Sequence, residues 1–237
     1  MSRFRVFEIF NTQDLIWKQW RKRLDSTAVE RLDKKGRIHR VLDSLAKERS
    51  LKFKEVLESF EIYACIRKRV KRDKIADICC GHGLTGLLFA IFSEHVQEVL
   101  LWDHQQSNSA KTVYKLLVSE FPEIESKVSW RVSALDSPPK ELKSDFALVA
   151  VHACGKLTDQ CLDLALTGGN AIVVVPCCYT GTGKTEPYAL KKSLGVSLST
   201  DIGRTYRLEN EDYRVEWDSI PPQITPMNRV ILAHPKP

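Results

Sequence analysis

The stretch "KIADICCGHGLTGLLFA", residues 74–90, decides how the rest of the chain is read. A short apolar run ends in a turn holding two adjacent cysteines, a histidine and glycines at 81, 83 and 86, and an apolar segment follows. Strand, glycine turn, helix is the opening unit of a doubly wound sheet, where ligands sit beyond the carboxyl ends of the strands. Gly81 and Gly83 permit positive φ and a close backbone approach to a ligand. The helix after them offers free N–H groups. Asp103 ends the next apolar run, 22 positions after Gly81, where a carboxylate can accept from both ribose hydroxyls. A glycine turn with an acid on the second strand suits an adenosine-bearing cofactor.

The competing reading of this turn is a metal site. His82 lies within two residues of Cys80. Zinc sites, however, use spaced pairs such as C-x₂-C, and adjacent thiols at a strand end point to different sides. Cys79 and Cys80 are read as small packing residues, and no metal is expected.

The same grammar continues outward. Apolar runs at 98–103, 127–132, 145–151 and 170–176 alternate with helical candidates at 84–94, 105–120 and 158–166. Runs of this kind read as parallel strands buried on both faces, with helices as crossovers. Two further strands, 213–220 and 228–235, flank the proline-rich "PPQITPM" and suggest a terminal antiparallel pair. The expected fold class is α/β, a Rossmann-like, mostly parallel sheet with an antiparallel terminal strand. Residues 1–50 form a basic helical extension, with Leu15, Trp17 and Trp20 set among charges, and residues 51–237 form the main domain.

Charge divides the chain unevenly. Residues 1–73 carry 20 Lys and Arg against 11 Asp and Glu, net +9, and the remainder carries 16 against 19, net −3. A basic arm ending in "RKRVKR" (67–72) on a mildly acidic body points to phosphate contact and so to a nucleic acid. No apolar run approaches the roughly 20 residues of a membrane helix. The charged N-terminus does not read as a secretory signal. Seven cysteines, with two adjacent pairs, imply reduced thiols and a cytoplasmic setting.

Two other strand ends carry chemistry. "VAVHACGKLTDQCL" ends the fourth strand and "VVVPCCYTGTGKT" the fifth, so His152, Cys154, Cys177, Cys178 and Tyr179 should open on the rim that carries the glycine turn. Thr158 is expected to cap the next helix, with Asp159 in its first turn. His152 could serve as a base, with Tyr179 and Cys177 at the acceptor. "HAC…PCC" faintly echoes the H-x-E and P-C-x-x-C of zinc deaminases, but residue 154 is not Glu and the spacing is broken. Simple packing of the thiols is the plainer reading. "CYTGTGKT" ends like a phosphate loop, but the first glycine of that motif would fall on Cys178, and no clear helix follows. A flexible substrate loop fits better.

The glycine spacing alone fits the dinucleotide fingerprint, so NAD stays open on spacing. The acid Asp77 ahead of the turn gives D-x-x-x-G-x-G, which resembles motif I of class I S-adenosylmethionine methyltransferases, with Asp103 as the motif II acid and Cys79 in place of the usual first glycine. "HACGKLTD" followed by "VVVPCCY" and "ITPMNRVILAHP" resembles one branch of those enzymes. It holds the methyltransferase-like domain of the glutathione-S-transferase C-terminal-domain-containing protein and, more distantly, the tRNA acceptor-stem 2′-O-methyltransferase. The resemblance implies S-adenosyl-L-methionine held by Asp77, Cys79, Cys80, Gly81 and Gly83, with Asp103 and His104 at the ribose. It implies adenine near Ser133, Ala134, Leu135 and Asp136, His152 to Gly155 beside the methyl, and Pro176 to Tyr179 at the acceptor. The expected activity is methyl transfer to RNA, tRNA favoured, with phosphates meeting the basic helices and Arg67–Arg72. A protein or small-molecule acceptor, or a non-catalytic binding module, are the alternatives.

Overall fold

The computed structural model describes residues 3–12, 21–32, 34–179 and 186–236. Leu15, Trp17 and Trp20, and the glycine-lysine end of "CYTGTGKT", lie outside them. Seven strands form one sheet: β1 (Lys74–Ile78), β2 (Glu98–Asp103), β3 (Val128–Val132), β4 (Phe146–Val151), β5 (Ala171–Val175), β6 (Tyr213–Ser219) and β7 (Arg229–Pro235). Their order is β3-β2-β1-β4-β5-β7-β6. The first five are parallel, and β7 runs antiparallel to both β5 and β6. This is the expected Rossmann-like sheet, with the strand order reversing between the parallel neighbours β1 and β4, where such sheets bind ligands.

The parallel strands are apolar on both faces because both are covered. Ile75, Val99 and Leu101 face a core shared with α3 (Phe53–Ile66), α4 (Leu84–Phe92) and α5 (Asn108–Glu120). Ala76, Leu100 and Trp102 face a smaller core shared with α6 (Lys156–Gly168) and Leu208 of α7 (Tyr188–Asn210). The N-terminal segment joins the first core. Phe4, Phe7 and Phe10, with Val29 of α1 (Ser26–Leu32) and Leu42 of α2 (Gly36–Lys47), are buried in it. Glu61 of α3, fully buried, anchors that segment by accepting from the backbone N–H groups of Arg5, Val6 and Phe7. Its burial pushes the carboxyl pKa up, and the three N–H donors oppose the shift.

Two expectations need correction. A long helix, α7, does follow the "TGTGKT" segment. It is broken at Gly195, whose φ of 76° and ψ of 163° are not helical, and this break disguises it in sequence. Thr158 is not the cap of α6. Gly155 holds that position, and Thr158, buried in the first turn, donates its hydroxyl to the Ala153 carbonyl. Among the described residues no helix is long and apolar enough to cross a membrane.

Candidate active site

The C-terminal ends of β1 to β5 meet on one rim. Cys79 leaves β1 with φ 54°, the left-handed conformation natural to glycine. It therefore occupies the backbone role of the motif's first glycine while carrying a side chain. Gly81 follows with φ 56°, and nothing lies within 4 Å of where its Cβ would be, so its backbone faces open space. Gly86 has the opposite reason to be glycine. A Cβ there would fall 2.5 Å from Leu101 Cδ2 and 3.0 Å from Asp77 Cβ, so α4 can lie against β1 only without one. His82, the histidine of the rival metal reading, accepts the Leu84 N–H on Nδ1 and so caps α4. Burial lowers its pKa.

Asp77 lies beneath this turn, 1% exposed. Its Oδ2 accepts the Gly86 N–H at 2.8 Å, and its Oδ1 has no partner. Burial raises its pKa to about 7; the Gly86 N–H opposes the shift and the Asp103 charge adds to it. Asp103 ends β2 and accepts the Gly81 N–H at 2.9 Å through Oδ2. Its Oδ1 touches His104 Nδ1.

A cavity of about 540 Å³ opens beside Asp103. Among the expected residues Cys79, Asp103, His104, Ser133, Ala134, Leu135, Asp136, His152 and Cys154 line it. Asp77, Cys80, Gly81, Gly83, Cys177 and Tyr179 do not. Asp77 braces the turn from below, and Cys80 packs toward the larger core. Sequence reading missed Trp102, Leu157 and Gln160 on the wall. Trp102 Nε1 donates to the Ser133 carbonyl and hydroxyl at 3.0 and 2.9 Å, which fixes the segment after β3. Cavities of this size with few polar groups suit one cofactor-sized molecule. The acid at the ribose position, the open approach at Gly81 and the orphaned Asp77 oxygen all fit an adenosine-bearing, positively charged group.

His152 follows β4 with φ 59° and its backbone N–H donates to Val175. Its Nε2 lies 2.8 Å from Oε1 of Glu58, a 5% exposed residue of α3, although the two are not aligned as a hydrogen bond. Glu58 was not anticipated. The signal available was an acid flanked by Val56, Leu57 and Phe60 on the buried side of α3, a position it shares with Glu61. Tyr179 turns away from the cavity. Its hydroxyl donates to Asp201 Oδ2 at 2.6 Å and accepts from Arg229 at 3.0 Å. Burial and the Asp201 carboxylate raise its pKa. Asp201, fully buried, also accepts from Arg204, which pairs with both oxygens of Asp159 in the first turn of α6.

Solved structures share the architecture. A Klebsiella pneumoniae protein assigned as an O-methyltransferase superposes with a TM-score of 0.55 at 15% identity, covering 93% of this chain and 99% of that one. The methyltransferase domain of bacterial CtHen1-C superposes at 0.54 and 12%, covering 76% and 97%. These likenesses are of fold. The family model described as "Methyltransferase domain" matches residues 51–184. Fold, cavity and family together define a class I S-adenosylmethionine-dependent methyltransferase. The chain belongs to that methyltransferase-domain family. Curated relatives are the glutathione S-transferase C-terminal domain-containing proteins of Homo sapiens, 23% identical, and Bos taurus, 24% identical, over 151 residues. The match covers 63% of this chain and 22% of theirs, so the chain spans about a fifth of those relatives.

Proposed function

We propose that this methyltransferase modifies RNA, with tRNA the first acceptor to try. The observation that carries this reading is a basic edge on the rim that bears the cavity. Arg21, Lys22 and Arg23 are exposed. Arg23 pairs with Lys52, and the Lys22 carbonyl receives the Phe53 N–H at the start of α3. Phe53 stands five residues before Glu58, roughly 7.5 Å of helix rise. Cations at the start of the helix whose Glu58 meets His152 can hold a phosphate chain while one of its nucleotides reaches the cavity.

Bound S-adenosylmethionine supplies an electrophilic methyl on a sulfonium. The chain's own part is alignment and proton handling. Asp103 receives the ribose hydroxyls, and the Ser133–Asp136 segment flanks the adenine. His152, whose Nε2 lies beside the Glu58 carboxylate, takes the proton of an acceptor hydroxyl or amine. Cys177 and Tyr179 shape the acceptor side, Tyr179 through the ion network behind it.

The test incubates purified protein with radiolabelled cofactor and tRNA transcripts, and measures tRNA affinity against salt. Label in the RNA, with affinity falling steeply as salt rises, supports the reading. Tight cofactor binding with no label in RNA redirects the search to protein or small-molecule acceptors.

A further inference from the structure

Two segments that sequence keeps apart are joined behind the cavity. The turn after β4 carries Cys154, and the stretch after β5 carries Cys177 and Cys178. The Gly155 N–H donates to the Cys178 carbonyl at 3.2 Å, which stitches the segments together. Three sulfurs converge at that seam. Cys154 Sγ lies 2.9 Å from Cys177 Sγ, and Cys177 Sγ lies 3.7 Å from Cys178 Sγ. All three fall within 4.8 Å of one another. Neighbouring residues in an extended chain usually point apart, so the turn of the backbone here places both members of the pair on one side.

These distances match a recognisable geometry. A tetrahedral zinc with Zn–S bonds of about 2.3 Å has sulfur–sulfur edges of about 3.8 Å. The observed separations run from 2.9 Å to no more than 4.8 Å, a span that includes that edge. Packing alone accounts poorly for the cluster, because two uncharged thiols gain little from a 2.9 Å approach. A disulfide would satisfy two sulfurs and leave the third beside it without a role.

We propose that Cys154, Cys177 and Cys178 form a three-thiolate site for a thiophilic divalent cation, zinc being the fitting ion. Each thiol releases its proton to solvent as its sulfur–metal bond forms. His152 does not join the set, because neither of its ring nitrogens lies within 4.8 Å of all three sulfurs. The adjoining residues 180–185, "TGTGKT", contain no His, Cys, Asp or Glu. Among the described residues no fourth His, Cys, Asp or Glu joins the three thiols, so the fourth position would belong to water or to an incoming acceptor atom. Cys154 also lines the cofactor cavity, so the ion would tie the cavity wall to the acceptor segment. Soft sulfur donors select zinc or copper(I) over magnesium or calcium.

The experiment uses the full chain, purified under reductant without chelator. Zinc is measured by mass spectrometry of the digested protein, and cobalt(II) is then titrated into the metal-free protein. The expected result is stoichiometric zinc and a near-ultraviolet thiolate-to-cobalt charge-transfer band. Cys177→Ser and Cys178→Ser should each abolish both signals, whereas Cys65→Ala, at the far end of α3, should keep them. S-adenosylhomocysteine binding by Cys178→Ser checks that this variant is folded. Absence of zinc and of the band in reduced wild type overturns the proposal. So does a band that survives in the folded Cys178→Ser variant, or a Cys154–Cys177 disulfide recovered in place of metal.

Discussion

The two ends of the parallel sheet differ in how they use charge. At the carboxyl ends of the strands, ionisable groups come in engaged sets: Asp103 with His104 and the Gly81 N–H, His152 beside Glu58, and Asp201 with Arg204, Arg229 and Tyr179. At the opposite ends, Lys68, Arg69, Lys71, Arg72, Arg214 and His234 surround a hollow of about 480 Å³ with Glu216 as the acid on its wall. The basic run at 67–72 thus lies below β1, and β1 itself separates it from the cofactor cavity by about 17 Å. The expected contact of Arg67–Arg72 with phosphates would then fall at the end of the sheet away from the cavity. The contrast teaches that density of charge and site of chemistry are independent. The proposed chemistry sits where opposite charges meet at a cavity, whereas the other end keeps a surplus of one sign even with Arg69 paired to Asp218 and Arg214 to Glu216, and such a surplus serves long-range attraction.

Experiments that separate the two ends sharpen this contrast. The largest effect is expected at His152. His152→Ala should lower turnover about 100-fold or more with S-adenosylhomocysteine affinity nearly unchanged, checked by single-turnover kinetics and calorimetry; unchanged turnover would remove it from the mechanism. Next, replacing Lys68, Lys71 and Arg72 together by Ala should weaken RNA binding. The slope of log affinity against log salt should become shallower by roughly 0.9 for each phosphate no longer neutralised. Cofactor affinity should not move. If RNA binding is instead insensitive there and falls on replacing Arg21, Lys22 and Lys52, the acceptor is held by the catalytic rim alone. Asp103→Ala should weaken S-adenosylhomocysteine at least tenfold, about 1.4 kcal/mol, and an unaltered affinity would displace the ribose assignment.

Two smaller effects concern the buried acids. Asp77 has its pKa raised by burial to about 7 from 3.8. The folded state therefore holds a proton that the unfolded chain releases, and stability should fall as pH rises between about 4 and 7. Thermal unfolding of cofactor-free protein across that range reads the slope, and Asp77→Asn should flatten it. Tyr179→Phe removes one donor from Asp201, which keeps its bonds to Arg229 and Arg204. The expected cost is about 1 kcal/mol in urea unfolding. A much larger loss would mean that the hydroxyl holds the whole network together.

The sheet was legible in sequence because each parallel strand is buried on both faces, so its apolar run stands out from its surroundings. The cavity was legible to the same degree, since strand ends in such a sheet are predictable in space: Asp103, Ser133 and His152 all reach it. α7 was hidden by Gly195 at its break and by weak separation of polar and apolar faces. Glu58 was hidden because its partner lies 94 positions away, across an interface that only packing defines. Cys154, Cys177 and Cys178 were legible as residues of one rim, but their approach to within 4.8 Å of one another depends on the backbone turns after β4 and β5, which strand patterning does not describe. The direction of the basic run could not be read at all, because counting charges carries no information about which end of a sheet they occupy.

The ion network around Asp201 has a further consequence. It ties together the segment after β5 through Tyr179, α6 through Asp159, α7 through Arg204, and β7 through Arg229. Segments sharing one buried anion cannot fluctuate open one at a time without stranding its charge. The acceptor-side stretch and the last strand therefore belong to a single opening unit, and their slowest amides should exchange with solvent deuterium at a common rate.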